Sequence, residues 1–540
     1  MTHPVKVGVG IGIVAAVVVL LFGGWSAILA GIVAGAAAAL VTEGQSIRDR
    51  SATLRNGVIS GAIVGVFILI AEIVNDILVL PLAGKDPVFP PFTLGPISIP
   101  YNMFVAGLAG LVLALAIGAL TGWINSLPDK NRRLGLAILL LTFLALYPAL
   151  DAAAGLGWIE QMISIMIFVV LALGLNIVVG YAGLLDLGYA AFFAIGAYAT
   201  GLLLSPHLCN QSGFNCEFYQ QEWSFWLVIW IAAAIVACFG LLLGAPTLPL
   251  TGDYLAIVTL GFGEIVPVVF RNLTTVTLTL PFTGICIAGC IKPLNVTAGE
   301  QGINPIARPW VPVVGSFQTG EYIPWYVLIL AIIALSIFFI NRLRYSRLGR
   351  AWSAMREDEL AASSMGINLV NTKLMAFAMG ATIAGLAGVF YASYITAIFP
   401  SVFDFTVSVI ILAMVILGGV GNMTGVIVGG LIILLSDRVL LPQLATLLKD
   451  TLNTTVVPHV ESPAVKDFLT VSVDPTQWRI FLFGLTLVVV MLVRPQGLIP
   501  NVRRAAEMHP DEDTWDLPLS IQQADAATQV RSVDRETTID

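Results

Sequence analysis

The charged and polar residues of this chain are concentrated in a few places. The densest charge lies in RLGRAWSAMREDELAASSMGINL, Arg347 to Leu369, with three Arg, two Glu and one Asp in a chain only 11% charged. A helix from about Ala351 to Met365 would carry small and apolar residues able to enter a groove on another molecule, and Gly366 suits a left-handed helix stop. The other reading is a solvated basic loop with no partner. Acidic residues within or beside apolar runs are few: Glu72, Asp76, Glu160, Asp186, Glu264, Asp404 and Asp437. A charge deep in a bilayer costs about 2.5–3.5 kcal/mol on insertion scales. Most of these acids lie near the ends of apolar runs, where they reach water. Asp186 differs, because it stands in the glycine-rich LGLNIVVGYAGLLDLGYAAFFAIGAYATG, Leu173 to Gly201. Broken helices that line a cavity or pack tightly need that glycine density; ordinary close packing of small residues is the alternative. On the first reading Asn176, Gly180, Tyr181, Gly183, Asp186 and Tyr198 face protein or a water-filled path.

Other chemistry is missing. There is no GxxxxGK[ST] phosphate loop, and the four His include no pair at metal-ligand spacing. No Ser/His/Asp set stands out. No metal, cofactor or covalent catalysis is expected, and no nucleic acid. Cys209 and Cys216 share SPHLCNQSGFNC, and Cys286 and Cys290 share FTGICIAGC. Each pair can close a small disulfide in an oxidising compartment; four free thiols are the alternative. Cys238, alone inside an apolar run, is read as packing.

The elements that position these residues are built for lipid. The 540 residues are 58% hydrophobic with a mean hydropathy of +0.92. Apolar runs of about 17–25 residues cross a hydrocarbon core. They are placed at 5–22, 25–41, 57–80, 101–124, 134–154, 158–180, 186–204, 224–244, 253–271, 323–341, 372–398, 405–421, 425–440 and 478–493. The fold class is therefore all-α, a polytopic integral membrane protein with about 14 transmembrane helices, broken or re-entrant segments included. Val5–Val41 is too long for one span at 1.5 Å per residue, so Gly23-Gly24 marks a hairpin; a signal peptide led by Lys6 is the alternative.

Basic residues set the orientation. With the N-terminus inside, the inner segments hold Lys6, Arg48 to Arg55, Lys130 to Arg133, Arg342 to Lys373 and the basics from Arg494. That is 18 of the 26 Lys and Arg, and the longer outer segments hold 8. Both termini are then cytoplasmic. Composition divides the chain into three parts: residues 1–125, with four spans; a core at 126–500; and a polar, acidic tail at 501–540 expected to be disordered. In the first part GIVAG and GAIVG space glycines four apart, which lets helices approach closely.

From about 134 to 500 the chain resembles the LivM-type permease subunit of branched-chain amino acid ABC importers. The resemblance rests on NIVVGYAGLLDLGYAAFFAIGAY, GDYLAIVTLGFGEI (Gly252–Ile265), TAGEQGI (Thr297–Ile303), FPSVFDFTVSVIILAMVILGGVGNMTG and RPQGL (Arg494–Leu498). Four positions depart from the family's pattern. Asp186 stands for a usual Ser, Tyr189 for Gln or His, and Ala298 for Gly. Ser408-Val409-Ile410 lacks the following acid.

The resemblance implies a transport subunit with no enzymatic activity of its own. Its partners would be a second, LivH-type permease, two cytoplasmic ATP-binding subunits and an extracytoplasmic solute-binding protein. The place would be a prokaryotic plasma (inner) membrane. Arg350, Glu359, Ala361, Ala362 and Gly366 match the loop by which such permeases contact their ATPases. Gly418, Gly419 and Gly421 match a translocation-path motif. Asp186 would meet the solute's ammonium group or a cation on the second permease, or else lie solvated at the cytoplasmic end of the broken helix. Rival functions are a urea or short-chain amide permease, an ion-coupled secondary transporter or channel, and a membrane scaffold. A urea permease would carry a Trp near Met414 and an Arg in place of Val420, and this chain has neither.

Overall fold

The computed structural model describes residues 3–41, 50–79, 102–127, 129–155, 157–207, 221–247, 253–276, 295–312, 315–318 and 320–451, with short hairpin stretches at 91–94, 97–99, 278–279 and 286–288 and isolated residues after 451. The helices are α1 (His3–Phe22), α2 (Ser26–Val41), α3 (Arg50–Val74), α4 (Met103–Asn125), α5 (Asp129–Ala154), α6 (Ile159–Leu175), α7 (Tyr189–Leu204), α8 (Ser224–Thr247), α9 (Asp253–Asn272), α10 (Tyr322–Arg344), α11 (Arg347–Glu357), α12 (Glu359–Ser364), α13 (Leu369–Ile395), α14 (Phe405–Gly418), α15 (Met423–Leu435) and α16 (Leu441–Thr451). Wider π turns extend α3, α6 and α15 at their C-terminal ends. Among the described residues, three two-stranded antiparallel hairpins are the only sheets.

A chain in lipid must satisfy its N–H and C=O groups internally, which favours helices. Among the described residues nine helices are long and apolar enough to cross a membrane, and three shorter apolar helices accompany them. Thirteen of the fourteen expected spans coincide with helices. The last, 478–493, lies outside the described residues but for isolated positions, as do Cys209, Cys216, Cys290 and the tail. The backbone of Cys286 lies in the strand Cys286–Ala288. Cys238, expected to pack, is instead exposed on α8.

Helices α1–α4 form a bundle with its own small core of Ala15, Val19, Ala27, Ala34, Val64, Ile68, Ala71 and Ala114. α3 packs against all three of the others, and α4 lies along α2 and α3. A Cβ on Gly31 of α2 would strike the carbonyl of Gly110, and one on Gly35 would lie 2.7 Å from that of Ala114. Gly57 and Gly61 of α3 meet Gly118 and Ala114 of α4 in the same way. The spaced glycines thus act as the sequence suggested. The bundle touches the rest where Phe22 meets Trp158 edge-on, ring centroids 4.5 Å apart, where Leu29 joins the main core, and where α1 meets α16.

In the main body α6 and α13 lie deep, with 78% and 72% of their most apolar stretches buried. α7 is buried along almost its whole length. Helices α8, α9, α10, α14 and α15 surround these three. They turn residues such as Trp230, Leu242, Ile257 and Phe338 outward, as a lipid-facing surface requires.

Candidate transport site

The central helix is broken. α6 ends in the π turn Asn176–Tyr181, and α7 starts only at Tyr189. Between them Gly183 holds φ +73°, a conformation that favours glycine. The exposed N–H groups at the start of α7 find side-chain oxygens from three elements. Gly188 N donates to Asp186 Oδ1 at 2.9 Å, Leu187 N to Thr259 Oγ1 of α9 at 3.1 Å, and Ala190 N to Ser408 Oγ of α14 at 2.9 Å. A Ser at 186 could accept the same bond, which gives the Asp186 departure a structural basis. Tyr189 OH donates to Gly380 O at 2.8 Å and fills space that the missing Cβ of Gly174 leaves. Asp186 is fully buried, and its Oδ2 has no hydrogen-bond partner among the described residues. Of the two placements open for Asp186, the solvated one does not fit this burial, because protein surrounds the side chain. Desolvating a carboxylate with a free lone pair is costly unless a cation or donor arrives.

A second junction closes the other side of the break. Asn176 Oδ1 accepts Gly421 N at 2.9 Å, while its buried Nδ2 has no partner among the described residues. A Cβ on Gly180 would run into Asn176 Oδ1 and lie 2.8 Å from Gly421 N. The loop between α14 and α15 turns at Gly419 (φ +115°) and Gly421 (φ +83°), while Gly418 packs against Gly425. Asn176, Gly180 and Gly421 thus meet, while Gly418 and Gly419 shape the loop that brings Gly421 there. Tyr181 lies beside them, under the Arg344 guanidinium at 5.8 Å. Tyr198 does not join them. It stands further along α7, stacked on Phe270 at 3.9 Å and near Phe403.

The charged stretch is two helices rather than one. Asp358 is extended (φ −156°, ψ 115°) and its Oδ1 accepts Leu360 N and Ala361 N at 2.8 and 3.0 Å, so it ends α11 and caps α12. Caps of this kind depend on chain geometry that charge pattern alone does not reveal. α11 seats itself through Trp352, whose Nε1 donates to Thr372 O at 2.8 Å, and through Gly349, where a Cβ would strike the Arg344 and Leu343 carbonyls. Arg350 lies on the surface with Nη1 on Tyr345 O at 3.2 Å. Ala362 is buried, Ala361 is exposed, and Gly366 closes the stretch at φ +83°. Leu360 and Met365 are 80% and 84% exposed, so apolar surface stands in water there. Arg356, absent from the sequence-based set, donates from Nη1 to Gly180 O at 2.6 Å.

At the opposite end of the molecule, Arg271 pairs with Glu300 at 3.0 Å and Ile303 bridges Ile398. Thr297 Oγ1 donates to Phe270 O at 2.6 Å. Ile303 and Ile398 thus meet at one end, and Gly180, Arg356 and Gly421 at the other.

Apolar helices ranged round a broken helix, with a charged helical loop at one end, define a polytopic membrane permease. The family model described as branched-chain amino acid transport system / permease component matches residues 157–491. The chain belongs to that family; it is a multi-pass transport subunit and not itself an enzyme. It is 32% identical to the high-affinity branched-chain amino acid transport system permease protein LivM of Escherichia coli (strain K12), over 68% of this chain and 75% of that one. It is 28% identical to the probable branched-chain amino acid transport permease protein LivM of Methanocaldococcus jannaschii, over 62% of this chain and 91% of that one. A shorter match, 35% identical over 26% of this chain and 43% of the other, is to the E. coli (strain K12) permease protein LivH. No solved structure gives a significant match.

Proposed function

We propose that the chain is the LivM-type half of a permease pair in an ATP-driven importer of branched-chain, hydrophobic amino acids. The carrying observation is the family match over 157–491 together with the two-helix charged stretch inside it. On this reading the other half is a LivH-type subunit, to which this chain's own similarity to LivH gives support. Two cytoplasmic ATP-binding subunits and an extracytoplasmic solute-binding protein complete the machine. The membrane is a prokaryotic plasma membrane, with both termini cytoplasmic.

Each proposed role follows from chemistry already described. Leu360 and Met365 supply apolar surface for a groove on the ATPase. Arg350, Glu359, Ala361, Ala362 and Gly366 shape and present that surface. When the ATPases close, α11 and α12 move, and the break at 182–188 and the loop at 419–421 switch the path between outward and inward access. Asn176, Gly180, Tyr181, Gly183 and Asp186 line the inner part of that path, and Tyr198 the outer part. Asp186 Oδ2 offers the arriving ammonium group an acceptor. Residues 1–125 form an appended unit, because α1–α4 carry their own core.

Affinity purification of the chain from its host membrane tests the assembly. Recovery of a second permease and an ATP-binding protein is the expected outcome. Recovery of the chain alone, in membranes where it is active in uptake, would contradict it.

A further inference from the structure

We infer that Arg356 is a positioning residue that ties the charged stretch to the broken helix, so that movement of α11 reaches Gly180 and Gly421 through one guanidinium. The inference rests on the proposed function and adds a residue that its site set lacks.

Three observations support the link. First, Arg356 lies in the last turn of α11, whose position on the span is fixed by the bond from Trp352 to Thr372. Second, Nη1 donates to the carbonyl of Gly180 at 2.6 Å. That carbonyl belongs to the last turn of α6, where backbone acceptors lack helical partners and the helix dipole favours a cation. Third, the side chain occupies space that two glycines leave. A Cβ on Gly183 would lie 2.8 Å from Arg356 Cγ, and one on Gly421 would lie 3.2 Å from Nη1. Both glycines hold positive φ, +73° and +83°.

The link therefore reaches both sides of the break. Gly180 and Gly421 are already joined to each other through Asn176. Arg356 adds the connection from that junction to the loop the ATPase would move. An Arg suits this place better than a Lys, because its planar fork can hold a carbonyl while its stem lies flat over backbone. The residue is also exposed, so a plain surface contact or a docking role is the competing explanation.

The two differ in what they would change. A docking contact affects assembly; a link affects how much solute moves per ATP. The complete complex in proteoliposomes, loaded with binding protein and leucine, gives both readouts. Arg356→Ala is expected to leave co-elution of the subunits and the ATPase rate intact, and to lower leucine moved per ATP by about fivefold or more, the scale of one net hydrogen bond. Arg356→Lys should fall between. Gly183→Ala, which pushes on the same side chain from the other side, should lower the same ratio. An unchanged ratio in Arg356→Ala overturns the inference, as does loss of co-elution in both Arg356 variants, which would make it a docking residue. If Arg356→Ala does not reach the membrane, Arg356→Lys is read alone: a lowered ratio supports the link and the unmodified ratio overturns it. Absence of ATP-driven uptake by the unmodified complex would instead refute the proposed function itself.

Discussion

Lys373, buried in α13, holds Nζ 2.9 Å from both carboxylate oxygens of Glu359 in the first turn of α12. The pair fastens the charged stretch to a membrane helix. Glu359 is therefore directed at its own chain, and the surface left for a partner is mainly Leu360, Ala361 and Met365. The pair also costs less to bury than Lys373 alone would, since an unpaired buried ammonium is strongly unfavourable.

Glu359→Lys places two cations together where one pair stood. It should lower transport, with insertion into the membrane unchanged, and loosen α12 by about 2 kcal/mol, the scale of a charge-assisted hydrogen bond. Reversing the pair with Glu359→Lys and Lys373→Glu together should restore much of the loss. Protease accessibility of the stretch and leucine uptake measure both effects. Full uptake by the single variant would show that the pair does not matter.

Asp186→Asn keeps shape and removes charge. Its Oδ1 can still accept Gly188 N, so the start of α7 should survive. Import by the purified complex should fall about tenfold, equivalent to about 1.4 kcal/mol. Asp186→Ser, which also preserves that cap, should fold and assemble as well. Leucine import by Asp186→Asn at the unmodified rate, at neutral and mildly acidic pH alike, would leave the carboxyl with a purely structural role.

Ala298 holds φ +58° in the loop after α9, a left-handed conformation that costs an L-residue about 1 kcal/mol. Asn295 Oδ1 supports the strained turn by accepting Ala298 N at 2.7 Å. Ala298→Gly should relieve the strain and raise the thermal midpoint of the purified protein slightly. A lowered midpoint would contradict that account.

A chain beginning near Pro128 lacks α1–α4. It loses the contacts made by Phe22 and Leu29 and those of α1 with α16, and keeps the rest of the main core. It should insert and still assemble with its partners, read by co-purification. Failure to assemble would make the four helices part of the transport machinery.

The spans were legible because length and hydrophobicity alone define them. The broken helix was legible because only glycine tolerates such close backbone approaches as those at Gly180 and Gly188. The cap oxygens of Thr259 and Ser408 were not, since they reach α7 from helices far along the chain, and a lone hydroxyl in an apolar run carries no pattern. Asp358 hid in a run of charges, where its role as a cap depended on an extended backbone. Sequence leaves Asp186 open between a protein-lined and a solvated place, because it gives depth along a helix but not the protein packed around it. Tyr198 was grouped with Asn176 by neighbourhood in sequence, whereas α7 carries it toward the opposite end of the molecule.

As the LivM-type half of a permease pair, the chain works only within an ATP-driven importer of branched-chain amino acids. The most direct test is uptake by proteoliposomes that hold the chain with its second permease and ATP-binding subunits, supplied with the cognate binding protein. Labelled leucine should accumulate only with ATP inside the assay compartment of the ATPases, and isoleucine and valine should compete while urea and short amides do not. Accumulation that is indifferent to ATP, or that follows urea rather than leucine, would contradict the account.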